Sequence, residues 1–165
     1  MGNMDETSIE IILNNTVLSN FASVNCIHLL QDVLSGKGAT VEQVKQEFQR
    51  GIAIGHLPDV SIDWLPILQL SESERETFQH LCLRYGMGEA SCLAVAQHRK
   101  LRLATDDRDA RRYALRVGIP ISGTIGILVN LIRIQLISLT EGNSILTQMR
   151  RKGYRSPVED LSTLT

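Results

Sequence analysis

Short, mostly apolar runs alternate along the chain with longer segments of helical periodicity, and this alternation strongly constrains the fold. The first run, residues 9–13, is rich in β-branched side chains, which is typical of a strand buried inside a parallel sheet. Three further strands are predicted within residues 60–70, 101–104 and 119–122. Because helical segments separate the strands, the sequence predicts an α/β fold, a three-layer α/β/α sandwich with a mostly parallel central sheet.

Predicted helix starts carry capping signatures, in which a Ser or Thr is followed three residues later by Glu or Gln. In such a capping box the two side chains bond free backbone N–H groups of the first helical turn. The signature occurs at Thr40 with Gln43, at Ser71 with Glu74 and at Ser156 with Glu159. Pro157, directly after Ser156, suits the first position of a helix. We therefore predict a helix at each of these three places.

The length of 165 residues suits one domain with a short appendage. We expect residues 1–135 to form this domain and residues 136–165 to form a short helical C-terminal extension packed on it. The apolar stretch of residues 117–139 contains Pro120 and Arg133. We interpret it as a strand followed by a buried helix and expect no membrane span.

The cysteines give no sign of a disulfide framework. Cys26, Cys82 and Cys92 are odd in number and form no C-x-x-C pair, so a thiolate metal site is not indicated either. The N-terminus lacks the basic and apolar regions of a signal peptide. Both observations predict a cytoplasmic protein with reduced thiols.

Basic residues are unevenly distributed. The 17 basic and 18 acidic residues nearly cancel, so net charge points to no class of partner. Basic side chains are nevertheless concentrated within residues 99–116 and 150–155. Such clusters either contact nucleic-acid backbones or form the solvated face of a helix. The candidates for backbone contacts are Arg108, Arg111, Arg112, Arg150, Arg151 and Lys152.

The candidate site residues stand where predicted strands and helices meet loops. In an open parallel sheet, ligands bind beyond the carboxyl ends of the strands. The candidates are Asn14 and Thr16 after the first strand, Thr105, Asp106 and Asp107 after the third, Glu89 at the start of a buried helix and Glu47 on the flank of another helix. Carboxylates that converge without histidine or thiolate partners form an oxygen-only site, which suits Mg²⁺ or Mn²⁺.

Each candidate also has a purely structural explanation. Asp106 or Asp107 can cap the helix that follows, and Glu89 is a favourable acid in a first helical turn. Glu47 is of a residue type that is usually exposed to solvent, and Asn14 suits a turn. The residues alone leave both explanations open.

The combination of these motifs resembles the PIN domain, in particular the small stand-alone bacterial and archaeal proteins of that family, many of them toxin-like. The resemblance spans most of the chain. Its motifs are residues 12–18, Val44-x-x-Glu47, Gly88-Glu89-Ala90, residues 104–107 with Ala110-Arg111, residues 118–126 and the basic tail of residues 149–155.

The resemblance implies a parallel sheet between helices and a Mg²⁺- or Mn²⁺-dependent endoribonuclease. It places the family's acidic set on Asn14, Glu47, Glu89 and Asp107, with Asp106 as a neighbouring alternative, and the small hydroxyl positions near the metal on Thr16 and Thr105. Asn14 departs from the pattern, since the family normally has aspartate there. An amide keeps a carbonyl oxygen for a cation but removes one negative charge, on which affinity for hard cations depends.

Two functions follow as hypotheses. The first is a metal-dependent ribonuclease in which Glu47, Glu89 and Asp107, helped by Asn14, hold the cation and RNA is the substrate. The second is a nucleic-acid- or protein-binding module that kept the fold and lost the chemistry, for which Asn14 is the motivation. The resemblance also implies a homodimer and a toxin held inactive by a small antitoxin protein.

Overall fold

A computed structural model describes residues 8–165. Residues 1–7, which belong to the predicted domain and to the N-terminus predicted to lack a signal peptide, lie outside the described residues. The strands in the described part are β1 (Ile11–Leu13), β2 (Gly38–Val41), β3 (Ile67–Leu68), β4 (Arg102–Ala104) and β5 (Ile121–Ser122). They form one sheet in the order β3-β2-β1-β4-β5, and each neighbouring pair is parallel.

The helices between and after these strands cover the sheet. Within residues 8–165 they are α1 (Asn15–Ser23), α2 (Ile27–Leu34), α3 (Glu42–Ala53), α4 (Glu72–Leu81), α5 (Met87–Arg99), α6 (Arg108–Val117), α7 (Thr124–Arg133) and α8 (Leu139–Arg151). The predicted α/β/α architecture with a parallel sheet is confirmed. None of the helices in this range is long and apolar enough to cross a membrane.

The core is centred on β1 and α5. Ile12 and Leu13 of β1 are completely buried, as the short apolar run predicts for a central parallel strand. Helix α5 has small residues such as Ala90 and Ala94, both fully buried, which allow it to lie close against the strands. This confirms the prediction of a buried helix over residues 89–98 and places the N-terminus of α5 near the end of β1.

The predicted capping box at Ser71 is present at the start of α4, and its Glu74 also pairs with an arginine of α5. Ser71 Oγ accepts a hydrogen bond from Glu74 N at 3.2 Å, and Ser71 N donates to Glu74 Oε1 at 2.8 Å. Arg99 at the end of α5 reaches the same carboxylate, with Nε 2.9 Å from Glu74 Oε2. Burial alone raises the pKa of Glu74, but the bonds from Arg99 and Ser71 outweigh it and lower the pKa below its usual value.

We expect Arg99→Ala to destabilise the fold by about 3 kcal/mol, because it leaves the buried Glu74 carboxylate without its charged partner. Since the folded-state pKa of Glu74 is depressed, this stabilisation is present above the unfolded pKa of about 4.3 and is lost as the pH falls through the folded value. Urea denaturation at pH 7 and pH 3 measures both effects. Arg75→Ala, an exposed arginine on α4, is the control, and an equal loss in both variants would contradict the prediction.

The helix predicted to start at Thr40 was placed wrongly, because Gly38–Val41 is strand β2 and α3 begins at Glu42. Thr40 Oγ1 donates a hydrogen bond to Leu13 O at 2.7 Å, so the hydroxyl links β2 to the end of β1 instead of capping a helix. Val41, which precedes α3, makes no side-chain cap bond. A four-residue strand buried on both faces shows no polar alternation, and for this reason β2 was missed.

The helix predicted to start at Ser156 is absent, since α8 ends at Arg151 and residues 152–165 contain no further helix. Ser156 Oγ accepts from Val158 N at 3.2 Å, which closes a tight turn and leaves the capping bond unmade. Leu161 is completely buried and its N donates to Asn143 Oδ1 at 2.9 Å. Packing of Leu161 against α8 therefore overrides the local helix signal. Helix α8 itself starts at a cap that the sequence analysis missed, where Ser138 Oγ accepts from Glu141 N at 3.0 Å.

Candidate functional site

The site lies where the strand order reverses. From β1 the sheet continues to β2 and β3 on one side and to β4 and β5 on the other, and such a switch point opens a crevice at the carboxyl ends of the strands. Asn14 follows β1 and Thr105 follows β4. Asn14 N donates to Ala104 O at 2.9 Å, and Asn14 Nδ2 donates to Thr105 Oγ1 at 3.1 Å. The structure thus brings the ends of the first and third predicted strands together.

Asn14 is held by its neighbours. The residue is only 2% exposed, and its Oδ1 accepts from Asn15 N at 2.8 Å at the N-terminus of α1. Its Nδ2 is used by Thr105. A carbonyl oxygen has two lone pairs, so the bond that caps α1 leaves one acceptor position of Asn14 available to a ligand.

Glu47 reaches from α3 to the N-terminus of α5. Its Oε1 accepts from Gly88 N at 3.0 Å, and a carboxylate is favourable there because the first N–H groups of a helix lack intrahelical partners. A side chain on Gly88 would overlap the Glu47 carboxylate. A side chain at position 88 would therefore displace the Glu47 carboxylate from this hydrogen bond.

Glu89 lies among like charges in the first turn of α5. Burial is the largest cause that raises its pKa, followed by the negative charges of Asp107 and Glu47 and by a hydrogen bond with the Asp107 carboxyl. Together they raise the pKa of Glu89 to about 7. We call the three side chains Glu47, Glu89 and Asp107 the acidic cluster.

Asp107 joins the acidic cluster while it also caps a helix. Its Oδ1 accepts from Ala110 N at 2.8 Å at the start of α6, and its N donates to Thr105 Oγ1 at 3.2 Å. The second carboxylate oxygen is left for Glu89 or another partner. The two explanations offered for this residue from the sequence are therefore compatible.

Asp106 turns to the opposite side of the loop. Its Oδ1 accepts from Thr124 N at 3.0 Å, and its Oδ2 accepts from Thr124 Oγ1 at 2.5 Å and from Asn20 Nδ2 at 3.1 Å. The Tyr154 hydroxyl also bonds this carboxyl group. Asp106 thus ties α1, α7 and the C-terminal segment together, and its carboxylate has little capacity left for a metal ion.

The predicted hydroxyl residues support the loop after β4. Thr16 Oγ1 accepts from Asp106 N at 3.0 Å, and Thr105 Oγ1 accepts from Asn14 Nδ2 and Asp107 N. These bonds fix the direction in which the two aspartates leave the backbone. They account for Thr16 and Thr105 without any contact to a ligand.

Four residues near the site were not singled out from the sequence. Asn20, Thr124 and Tyr154 hold Asp106. Asn15 has a buried Oδ1 without a hydrogen-bond partner among the described residues. The sequence gives two weak signals for these residues. They are the repeated asparagine after Leu13 and the Gly123-Thr124 pair at the start of α7. Neither signal specifies a contact, because each depends on residues distant in sequence.

The structure separates the predicted basic residues. Arg108, Arg111 and Arg112 line one cleft, and Arg111 Nη1 is bound to Thr105 O at 2.8 Å and Ser122 O at 3.2 Å. Arg150 Nη2 is 3.4 Å from Glu159 Oε1. Arg151 and Lys152 are exposed, and Lys152 lines a different depression, next to His56.

The donor atoms of the candidate site are oxygens, the type that a hard divalent cation prefers, but their arrangement is not that of a formed metal site. Within residues 8–165, no three His, Cys, Asp or Glu side chains stand in an arrangement ready to hold a metal ion. The acidic cluster supplies carboxylate oxygens and Asn14 an amide oxygen. The pKa of Glu89 is raised first by burial and then by the neighbouring negative charges, which a bound cation would offset. Mg²⁺ prefers such oxygen donors at about 2.0–2.1 Å. Binding would therefore draw the carboxylates closer together.

The chain matches a known protein family over most of its length. A family model described as a PIN domain matches residues 10–164. No curated protein matches the chain, and neither does any solved structure.

Proposed function

We propose that this chain, which belongs to the PIN-domain family, is a metal-dependent endoribonuclease. PIN domains are generally nucleases, which supports a hydrolase at the coarse level. The observation that carries the finer proposal is the convergence of the acidic cluster on Glu89 at the switch point of the sheet. Its reaction is hydrolysis of a phosphodiester bond of RNA, assisted by Mg²⁺ or Mn²⁺.

Backbone hydrogen bonds orient the acidic cluster before any ligand arrives. Glu47 is fixed by Gly88 N and Asp107 by Ala110 N, and Asn14 is fixed between Asn15 and Thr105. Oriented ligands reduce the entropy lost when substrate and cation are brought together. A divalent cation, when bound, polarises the phosphate and lowers the pKa of a water molecule. Glu47, Glu89 and Asp107 would hold that cation, and Asn14 would contribute an oxygen without charge.

Asn14 favours a second candidate function, a nucleic-acid- or protein-binding module. An amide at this position lowers the negative charge available to a cation by one unit, and affinity for hard cations falls with the charge count. Its Nδ2 donor already satisfies Thr105, so the local structure is stable with asparagine in place. The fold and the basic surface would remain useful to a protein that binds RNA without cutting it.

We also propose the partners that the resemblance implies, a homodimer and a small antitoxin protein. Apolar side chains at the end of α7 and after it are partly exposed, with Ile134 at 51% and Leu136 at 45%. Exposed apolar surface of this kind is typical of an interface. Light scattering would give the mass in solution, and a monomer at micromolar concentration would contradict the dimer.

A crystal soaked in Mn²⁺ tests the metal proposal directly. We expect an anomalous manganese peak bound by Glu47, Glu89 and Asp107, with Asn14 Oδ1 nearby. A parallel assay with end-labelled single-stranded RNA should show internal cleavage with Mg²⁺ or Mn²⁺ and none with EDTA. Manganese bound only elsewhere on the chain, or cleavage that persists in EDTA, would contradict a metal-dependent mechanism at this site.

A further inference from the structure

A cleft of about 720 Å³ adjoins the loop that carries Asp106 and Asp107. Arginines from two parts of the chain line it, and so do several apolar side chains. We call it the arginine cleft; its lining includes Arg108, Arg111 and Arg112 of α6, Arg155 of the C-terminal segment, and Leu115 and Ile125. Its volume lies within the roughly 300–1,000 Å³ of typical ligand sites.

The arginine cleft has an excess of positive charge. Within residues 8–165, none of its four guanidinium groups has a carboxylate oxygen within the 4.0 Å of an ion pair. Asp106 also lines the cleft, but its carboxylate already accepts hydrogen bonds from Thr124 and Asn20. Arg111 is tied to backbone carbonyls of Thr105 and Ser122 and positions the loop. Arg112 and Arg155 are exposed to solvent, so they are suited to bind an anion.

The position of the cleft relative to the acidic cluster indicates which kind of anion it binds. Asp106 lines the arginine cleft and Asp107 belongs to the acidic cluster, and adjacent Cα atoms are only about 3.8 Å apart. The acidic cluster and the arginine cleft therefore lie on either side of one short loop, and an RNA strand that occupies both has to cross that loop. Guanidinium groups bind phosphates in a bidentate manner, and the exposed apolar side chain of Leu115 with Ile125 offers a surface for a base.

We propose that the arginine cleft binds one nucleotide of single-stranded RNA that flanks the scissile phosphate. Its phosphate contacts Arg112 and Arg155, and its base lies against Leu115 and Ile125. The proposal rests on the proposed ribonuclease function and adds a subsite to it. A fixed flanking nucleotide would set the register of the strand and hence the position of the cut. An acidic peptide shares the charge but needs no apolar side chains beside a phosphodiester site.

The test measures RNA binding without cleavage. Fluorescence anisotropy of a labelled single-stranded RNA in EDTA compares the full chain with the double variant Arg112→Ala, Arg155→Ala at several salt concentrations. We expect roughly tenfold weaker binding. The slope of log affinity against log salt should also become shallower by about 0.7, because the two arginines neutralise one phosphate and each neutralised phosphate on a single strand contributes about 0.7. Leu115→Ser should weaken binding of RNA but have a smaller effect on an oligonucleotide that lacks bases.

The matched control is Arg75→Ala, Arg84→Ala, which removes two exposed arginines of α4 and the following turn. Arg75 lies beside β3, at the opposite edge of the sheet from β5. Equal RNA binding by the two double variants would overturn the proposal. So would a cleft variant that loses binding to a polyglutamate peptide while it keeps its binding to RNA. RNA that is bound through the cleft but never cut with Mg²⁺ would support the subsite and contradict the ribonuclease function, so the two failures are distinguishable.

Discussion

Glu89→Gln and Asp107→Asn are each expected to reduce Mg²⁺-dependent cleavage of single-stranded RNA by at least about a hundredfold. Each change keeps the shape of the side chain and removes one negative charge from the acidic cluster. Asp107→Asn also preserves the cap of α6, since asparagine is as good an N-cap as aspartate and Asp107 Oδ1 is the atom that accepts from Ala110 N. Gel analysis of end-labelled RNA under single-turnover conditions measures the loss.

Glu76→Gln, an exposed acid on α4, is the control for that experiment. Cleavage that stays unchanged in Glu89→Gln and Asp107→Asn would remove the acidic cluster from the reaction. Binding of RNA in EDTA should stay within about twofold in both variants, because neither substitution touches the arginine cleft. A parallel loss of RNA binding would instead indicate general damage to the fold.

Glu89→Gln should also stabilise the metal-free protein at alkaline pH. Burial and the charges of Asp107 and Glu47 raise the pKa of Glu89 to about 7, so ionisation of this group costs the folded state free energy. Stability of the wild type therefore falls as the pH rises from the unfolded pKa of about 4.3 through 7. Glu89→Gln has no group to ionise there and lacks this loss. After allowance for the partial exposure of the side chain, its free energy of unfolding at pH 8 should exceed that of the wild type by about 1 kcal/mol. Denaturation in EDTA at pH 5 and pH 8 measures it.

Asn14→Asp is expected to increase Mg²⁺ affinity and the rate of RNA cleavage by about tenfold or more, because it adds a fourth negative charge to the oxygen donors. The hydrogen-bond network can accommodate the change. The introduced carboxylate would still accept from Asn15 N, and the bond to Thr105 would reverse, with the threonine hydroxyl as donor in place of Asn14 Nδ2. Calorimetric Mg²⁺ titration and the cleavage assay measure the two gains.

The same substitution should also change the stability of the protein, in a way that depends on Mg²⁺. A carboxylate at a position only 2% exposed beside three other acids should lower metal-free stability by about 1–3 kcal/mol. Mg²⁺ should restore it, since a ligand that binds only the folded state stabilises that state. Asn130→Asp, exposed on α7, should show neither effect. No gain in cleavage or Mg²⁺ binding, with RNA binding intact, would favour the binding module over the nuclease.

Most of the sheet and the helices was predictable because the signals are local. The strands near residues 9–13, 101–104 and 119–122 and the capping box at Ser71 depend on side chains close in sequence. Strand β2 depends on residues distant in sequence. Thr40 Oγ1 bonds Leu13 O, and the strand pairs with β3. Its Gly-Ala-Thr-Val sequence carries no pattern that separates a short central strand from a turn.

For the candidate site, the sequence indicated which residues approach one another but not how they are used. The order of the elements predicted that Asn14 and the Thr105 loop would meet, because parallel strands end at the same edge. It did not distinguish Asp106 from Asp107, whose side chains leave the loop in opposite directions. Nor did it predict that backbone carbonyls hold Arg111.

By itself, the sequence determined the α/β class and the capped start of α4 at Ser71, because these follow from periodicity and capping chemistry. The candidate acids Glu47, Glu89 and Asp107 came from the resemblance to the PIN domain together with their positions along the chain. The tertiary structure alone decided three further points: that Glu47 reaches Gly88, that Asp106 binds Thr124 and Tyr154, and that Arg112 and Arg155 share one cleft. Each of these arrangements joins residues at least 18 positions apart, and their geometry is set by how the helices and the C-terminal segment pack on the sheet.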